Sequence, residues 1–317
     1  MTQDELRQSC IRLFRCSTID DCKDLINLYQ EFLFSIIAKH QMDPVETTSL
    51  DQAKLIPQMV FTKLGHLMSI ISGIHYTSKS GTALSGIIDP VVVGCQIRST
   101  YELVATFNLI FRTAKAGDER EILYALWVHA GLAYRQRFVS VITTEENKQK
   151  QQEELQTMKE LVTTIEETDL YKSLDSKEQG KIKAKLKEKD YKIRFQNGRV
   201  EFLAWHELIP VMGVKHNLLD DIYTYFSLYS HPSNVAVFQF GEMFKKGEEG
   251  FMEITAFHLK NLFIFVSIFI ADYIHLFPTI LETYNQQNLV DQIVINFHNK
   301  MMRGNEYSIN DAHLKLG

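Results

Sequence analysis

The sequence predicts a mainly α-helical fold: a helical bundle with one or two small β-hairpins and a projecting charged helical hairpin. Apolar residues recur at helical spacing through most of the 317 residues, whereas runs that alternate as strands do are few and short. Hydrophobic residues make up 45% of the chain, which is enough to form a sizeable core. The net charge of −5 gives no overall attraction to nucleic acid, so such a contact would need a local basic site.

The first helices have recognisable starts. Ser17 or Thr18 can cap a helix whose first turn is acidic and which runs to about residue 40. A second helical segment is expected over residues 50–76. Asp89 followed by Pro90 is a good helix entry, because Asp caps and Pro fits the first turn. The helix that follows is apolar over most of its circumference, so we expect it to be central.

Composition divides the chain into four parts. Between residues 145 and 192 the composition changes to mostly Lys, Glu and Gln, with an acidic first half and a basic second half. Such a charged segment is typical of a solvated helical hairpin, and a binding arm is the alternative. The predicted parts are residues 1–144 as the first part of the bundle, 145–192 as a charged helical hairpin insertion, 193–304 as a β-hairpin and helices that complete the bundle, and 305–317 as a tail.

Two segments are candidates for β-hairpins. Residues 192–203 give the clearest strand pattern, with Ile193 and Phe195 facing Val200 and Phe202 across Asn197-Gly198, the usual type I′ turn. Residues 235–254, centred on Lys245-Lys246-Gly247, are the candidate for a second hairpin.

A cytoplasmic protein is expected. The start of the chain lacks the basic and then apolar pattern of a signal peptide, and the four cysteines form no C-x-x-C pair. The most apolar segment, residues 262–277, contains Asp272 and His275 and is shorter than the roughly 20 residues of a spanning helix. We therefore expect a buried core helix and no membrane span. Helical bundles with broad apolar faces often dimerise, so a homodimer is an option.

Familiar catalytic and cofactor motifs do not occur. The sequence has neither a G-x-x-x-x-G-K-[ST] loop nor a G-x-G-x-x-G turn, so neither phosphate cradle is present. His206-Glu207 begins like a zinc-protease helix, but Pro210 stands where the second histidine is required. We predict no metal site and no cofactor.

Two sets of polar residues at helical spacing are the candidate functional site. Tyr223, Ser227 and His231 lie four residues apart and share one face of a predicted helix that Pro232 stops. Arg98 and Glu102 have the same spacing inside an apolar helix. We expect the two helices to meet and to form an internal polar pocket from Arg98, Glu102, Tyr223, Ser227 and His231.

Three interpretations of this pocket remain open. It can bind an anionic ligand, a nucleotide or RNA, through Arg98. It can cleave a phosphodiester, with His231 as general acid or base and Arg98 neutralising the transition state. It can also be structural, with Arg98 and Glu102 as an interior ion pair that fixes the helix register. Under this third interpretation the protein is a scaffold that captures a partner protein through residues 145–192.

The pattern Arg-x3-Glu at Arg98, followed by Tyr-x3-Ser-x3-His-Pro-Ser from Tyr223, resembles a family of uncharacterised bacterial helical proteins. That family is loosely similar to the HEPN group of helical bundles, many of which are RNases in toxin and antiviral systems. The resemblance covers about residues 91–111 and 218–233 and implies a role in bacterial stress or phage defence. HEPN nucleases carry an Arg and a His on one helix with four to six residues between them, and no predicted helix here does, so a dyad would require Arg98 and His231 from separate helices.

Overall fold

The computed structural model is mainly α-helical over the residues that it describes, which are 2–231 and 233–316, without the side chain of Val139. This confirms the predicted fold class. Pro232, predicted to stop a helix, lies outside the described residues. The chain forms two compact units, one made of residues 1–108 and 209–317 and the other of residues 109–208.

In chain order the helices are α1 Gln3–Arg15, α2 Ile19–His40, α3 Thr48–Ala53, α4 Ile56–Ile70, α5 Pro90–Phe107, α6 Asp118–Arg135, α7 Glu145–Glu167, α8 Asp169–Ser173, α9 Ser176–Glu188, α10 Leu208–Val211, α11 Ile222–Ser230, α12 Asn234–Lys246, α13 Glu248–Leu276, α14 Ile280–Asn285 and α15 Leu289–Arg303. The strands are β1 Ile74–Thr77, β2 Ala83–Ile87, β3 Ile193–Gln196 and β4 Arg199–Phe202, paired as two antiparallel hairpins.

Local signals set the helix starts that the sequence predicts. Thr18 caps α2 by accepting a hydrogen bond from the backbone of Asp21, whose carboxylate in turn accepts from the backbone of Thr18. Asp89 caps α5 by accepting from the backbone of Val91, with Pro90 in the first turn. The predicted segment 50–76 is divided instead into α3, α4 and strand β1.

Helix α13 is the centre of the first unit. It packs against α5, α15, α12 and α2 and is buried almost all round. By length and composition alone this helix could cross a membrane, but 83% of its most apolar window is buried inside the protein. A core helix surrounded by neighbours has this same continuous apolar character.

A fully buried ion pair joins α13 to α15. Arg303 Nη2 lies 2.7 Å from Asp272 Oδ1, and both side chains are at most 1% exposed. The other Asp272 oxygen accepts from Asn108 Nδ2 at 2.6 Å, at the end of α5. The Arg303 guanidinium also lies 3.8 Å from the centre of the Tyr307 ring. The pair therefore fixes three helices and the segment after α15.

Residues 305–316, predicted as a tail, are folded back onto α15. Asn296 Nδ2 donates to Ser308 Oγ at 2.9 Å and to the Asn310 carbonyl at 3.0 Å. Asn299 Nδ2 donates to the Tyr307 carbonyl at 2.6 Å. The two asparagines stand on one face of α15 and satisfy backbone groups that a loose tail would leave to water.

One predicted hairpin is confirmed and the other is wrong. β3 and β4 pair with Ile193 opposite Phe202 and Phe195 opposite Val200, and Asn197 and Gly198 both have the positive φ that a type I′ turn needs. Residues 235–254 are not a hairpin but belong to α12 and the start of α13. Ser233 caps α12, and Ala236 and Met243 lie on the buried face of that helix. The second hairpin is instead β1–β2, over residues 74–87.

The charged segment 145–192 packs along α6 within the second unit. Arg135 of α6 forms an ion pair with Glu154 of α7. In α9, Lys185 is buried and bonds Asp190 at 2.7 Å, and Lys181 bonds Glu178 at 2.9 Å. Much of the basic charge is therefore neutralised within the unit.

Two buried histidines belong to polar networks inside the first unit. His258 Nε2 bonds the Tyr225 hydroxyl at 3.0 Å, and His298 Nδ1 lies 3.4 Å from the Tyr29 hydroxyl, which also bonds Ser267 at 2.7 Å. Burial lowers the pKa of each histidine to about 4. Both imidazoles are therefore neutral in the folded protein near neutral pH.

Replacing Arg303 by Met should lower the free energy of unfolding by about 3–5 kcal/mol, because it removes the cation from a buried carboxylate. Urea unfolding measures the change. Arg303→Met combined with Asp272→Asn should recover part of the loss, since the buried charge is then gone. The control Arg135→Met removes a half-exposed arginine from its pair with Glu154 and should cost under about 1 kcal/mol. A loss that small for Arg303→Met would contradict a stabilising role for the buried pair.

Stability should fall as the pH is lowered from about 6.5 to about 4. In that window the unfolded histidines bind protons while His258 and His298 stay neutral in the fold, so protonation favours unfolding. Each contributes at most about 1.4 kcal/mol per pH unit. The dependence of the urea midpoint on pH should weaken in His258→Gln, in which His298 still contributes. It should keep the wild-type slope in His216→Gln, whose ring is exposed. A slope unchanged by His258→Gln would exclude the assigned cause.

Candidate functional site

The predicted meeting of the two polar helices is observed: α5 packs against α11. The helices run in opposite directions, since Gly94 lies against Tyr229 while Arg98, further along α5, reaches back to Tyr223. Gly94 allows the close approach, because a Cβ there would lie 2.8 Å from Cβ of Tyr229. This contact sets the distance at which the polar side chains of the two helices meet.

Arg98 is held from two sides. Its Nε donates to Glu102 Oε1 at 3.0 Å and one Nη donates to the Tyr223 hydroxyl at 2.8 Å. The guanidinium carbon lies 4.9 Å from the centre of the Tyr223 ring, within range of a cation–π contact. The Arg98 side chain is 19% exposed and that of Glu102 32%, so the pair lies at the border between interior and solvent.

Lys63 of α4 is a third charged member that sequence reasoning missed. Its ammonium donates to Ser99 Oγ at 2.7 Å, next to Arg98 in the chain. Burial lowers the pKa of Lys63, and the negative charge of Glu102 partly opposes that effect. We call Lys63, Arg98, Ser99, Glu102 and Tyr223 the Arg98 cluster.

The Arg98 cluster carries an excess of positive charge. Lys63 and Arg98 are cations, and Glu102 is the one carboxylate that interacts with them in the described part of the chain. One Nη of Arg98 donates no hydrogen bond to any described residue. A partly desolvated site with one surplus cation and free N–H donors favours an anion, and a guanidinium suits phosphate or carboxylate oxygens.

Ser227 does not reach the Arg98 cluster. Its hydroxyl donates to the Tyr223 carbonyl at 2.7 Å, the i to i−4 bond that serine makes within a helix. Ser227 thus supports the turn that carries Tyr223, and ligand binding by its side chain stays a prediction.

His231 lies at the other end of α11. It follows the last helical residue in an extended conformation, and its exposed side chain lines a groove of about 450 Å³ with Asp89, Cys95 and Val237. His231 comes eight positions after Tyr223, which corresponds to about 12 Å along the helix axis. The structure therefore brings Arg98, Glu102 and Tyr223 together and leaves His231 in a separate groove.

The described residues offer no arrangement of the HEPN kind on one helix. Arg199 and His206 have six residues between them, but Arg199 is in strand β4 and His206 in a 3-10 turn. Nor does the described part of the chain contain a cluster of three His, Cys, Asp or Glu residues that could hold a metal ion.

Gly94→Ala should destabilise the protein although alanine favours helix, because the added methyl group clashes with Tyr229. The clash should cost about 1–3 kcal/mol, more than the roughly 1 kcal/mol gained in helix propensity. Gly131→Ala in α6 is the matched control, since nothing lies within 4 Å of its added Cβ. Thermal or urea unfolding should show stabilisation at Gly131 and loss at Gly94; stabilisation at both positions would contradict the close packing.

No protein-family model, no curated protein and no solved structure matches this chain. The function must therefore be argued from the chemistry of the site itself.

Proposed function

We propose that this protein is a cytoplasmic binding or sensing protein that takes up a phosphate-bearing anion, a nucleotide or RNA, at the Arg98 cluster. The observation that carries the proposal is the surplus positive charge there. Lys63 and Arg98 face one carboxylate, Glu102, and the Arg98 side chain remains 19% exposed.

The fixed orientation of Arg98 favours binding. An arginine side chain loses conformational entropy when it binds a ligand. The hydrogen bonds of Arg98 to Glu102 and Tyr223 have already restricted its rotamers. A ligand phosphate would then gain charge-assisted hydrogen bonds without that ordering cost. Lys63 supplies a second, point-like charge from a neighbouring helix.

Phosphodiester cleavage by Arg98 and His231 is a weaker hypothesis. General acid–base catalysis needs the histidine within hydrogen-bond reach of the reacting atoms. Arg98 is bonded to Tyr223, and His231 follows it by eight residues, about 12 Å along the helix axis. A stress or phage-defence role rests on the resemblance to HEPN proteins alone.

Partner capture by residues 145–192 has limited support. Two lysines in the basic half of this segment are paired within the unit: Lys185 bonds Asp190 and Lys181 bonds Glu178. The outer face of α7 remains exposed, as any solvated helix would be.

Arg98→Gln should weaken binding of a fluorescein-labelled 12-nucleotide oligouridine at least tenfold, as expected for the loss of a charge-assisted hydrogen bond. Fluorescence polarisation at several salt concentrations measures it. Loss of one phosphate contact should also make the plot of the logarithm of the association constant against the logarithm of the salt concentration less steep, by about 0.7. Competition by unlabelled ATP tests whether a mononucleotide occupies the same site.

The matched control is Arg135→Gln, which removes an arginine from another Arg–Glu pair, in the second unit. It should leave the affinity unchanged. Equal weakening by both substitutions, or no binding of oligouridine or ATP by the wild type, would contradict the proposal. Electrophoresis of the same samples tests the rival activity: cleavage by the wild type that His231→Ala abolishes would favour the RNase.

A further inference from the structure

A second cavity, of about 530 Å³, lies along one face of α15. Ile293, Phe297 and Lys300 line it at helical spacing, and Lys215, His313 and Leu316 close its sides. None of its lining residues belongs to the Arg98 cluster or to the groove of His231. A volume of this order holds a small organic molecule. We call it the α15 cavity.

The wall of the α15 cavity is built by the folded segment after α15. Arg7 Nε donates to the Leu316 carbonyl at 2.6 Å, which attaches this segment to α1. The hydrogen bonds of Asn296 and Asn299 attach it to α15. Because both ends of the wall are bonded to helices, the cavity is preformed and does not have to be ordered by a ligand.

Two of the described residues that line the α15 cavity are lysines, and none of them carries a carboxylate. Lys215 Nζ donates to the Met301 carbonyl at 3.1 Å. Lys300 Nζ contacts His313 Nε2, which accepts if the imidazole is neutral. Neither ammonium forms an ion pair with any carboxylate among the described residues, unlike Lys181 and Lys185 of the second unit. Two lysines therefore line one cavity without a carboxylate partner among the described residues.

The rest of the lining is apolar and contains a fixed aromatic ring. Phe297 stacks on Phe14 of α1 with 3.7 Å between ring centres, so its orientation is set from behind. Ile293 and Leu316 add aliphatic surface. Binding sites for small organic molecules combine such an apolar body with a few polar groups that fix orientation.

We propose that the α15 cavity is a binding site for an amphipathic organic anion, with a flat apolar body against Ile293, Phe297 and Leu316 and one acidic group at Lys215 and Lys300. The acidic group, a carboxylate, phosphate or sulfonate, supplies a negative charge to pair with the two lysines. The site goes beyond the proposed function because it uses none of the residues of the Arg98 cluster.

The test uses two fluorescent probes with the same aromatic body, 8-anilinonaphthalene-1-sulfonate and uncharged N-phenyl-1-naphthylamine. Titration of the folded wild-type chain should give one saturable sulfonate site. Lys300→Met and Lys215→Met should each weaken sulfonate binding at least fivefold and leave binding of the uncharged probe unchanged. Lys148→Met, an exposed lysine of α7, is the matched control and should change neither.

The location of the probe is measured in the same samples by amide hydrogen exchange. Bound sulfonate should slow exchange in residues 293–304 and 312–316, and Arg98→Gln should not alter that protection. Three outcomes would overturn the proposal: no sulfonate binding by the wild type, equal affinities in Lys300→Met, Lys215→Met and Lys148→Met, or protection confined to other segments. Lys215 is exposed, so Lys215→Met keeps the test decisive should Lys300→Met fail to fold.

Discussion

The buried ion pair of Asp272 and Arg303 is the constraint on which the rest of the first unit depends. Two opposite charges at most 1% exposed are stable only if their geometry and further hydrogen bonds offset the cost of removing them from water. Asn108 and Tyr307 supply those further contacts. The charges thus require α5, α13, α15 and the segment after α15 to keep one arrangement, which a purely apolar core of the same size would specify less strictly.

Both proposed sites follow from that arrangement. Asn108, at the end of α5, fixes the helix that presents Arg98, and Gly94 lets α11 approach closely enough for Tyr223 to meet it. On the other side, Tyr307 under Arg303 begins the segment that closes the α15 cavity. The Arg98 cluster and the α15 cavity are therefore separate positive sites supported by the same buried charges.

Local signals were predictable from sequence, and most long-range pairings were not. Thr18, Asp89 and Asn197-Gly198 act through their own neighbours in the chain, so the caps and the turn were identified correctly. Residues 235–240 are apolar at spacings that fit a strand or a helix, and only tertiary packing decides between them. The folded segment after residue 304 depends on asparagine side chains of α15, whose partners the composition does not reveal.

The same distinction explains the candidate site. The four-residue spacing within each polar set, Arg98 with Glu102 and Tyr223 with Ser227, led us to predict that the two helices meet. Lys63 comes from a third helix and has no motif to mark it. His231 continues the spacing of Tyr223 and Ser227 but stands at the end of α11 with an exposed side chain. Regular spacing thus identified the helix face correctly, but the predicted site extended along that face to His231, beyond the residues that meet Arg98.

The central claim is that anion binding belongs to the Arg98 cluster and not to the whole stripe from Tyr223 to His231. Oligouridine affinity measured side by side for Arg98→Gln and His231→Ala tests it most directly. The account predicts at least tenfold weaker binding for Arg98→Gln and wild-type affinity for His231→Ala. Equal weakening by both substitutions, or weakening by His231→Ala alone, would contradict it.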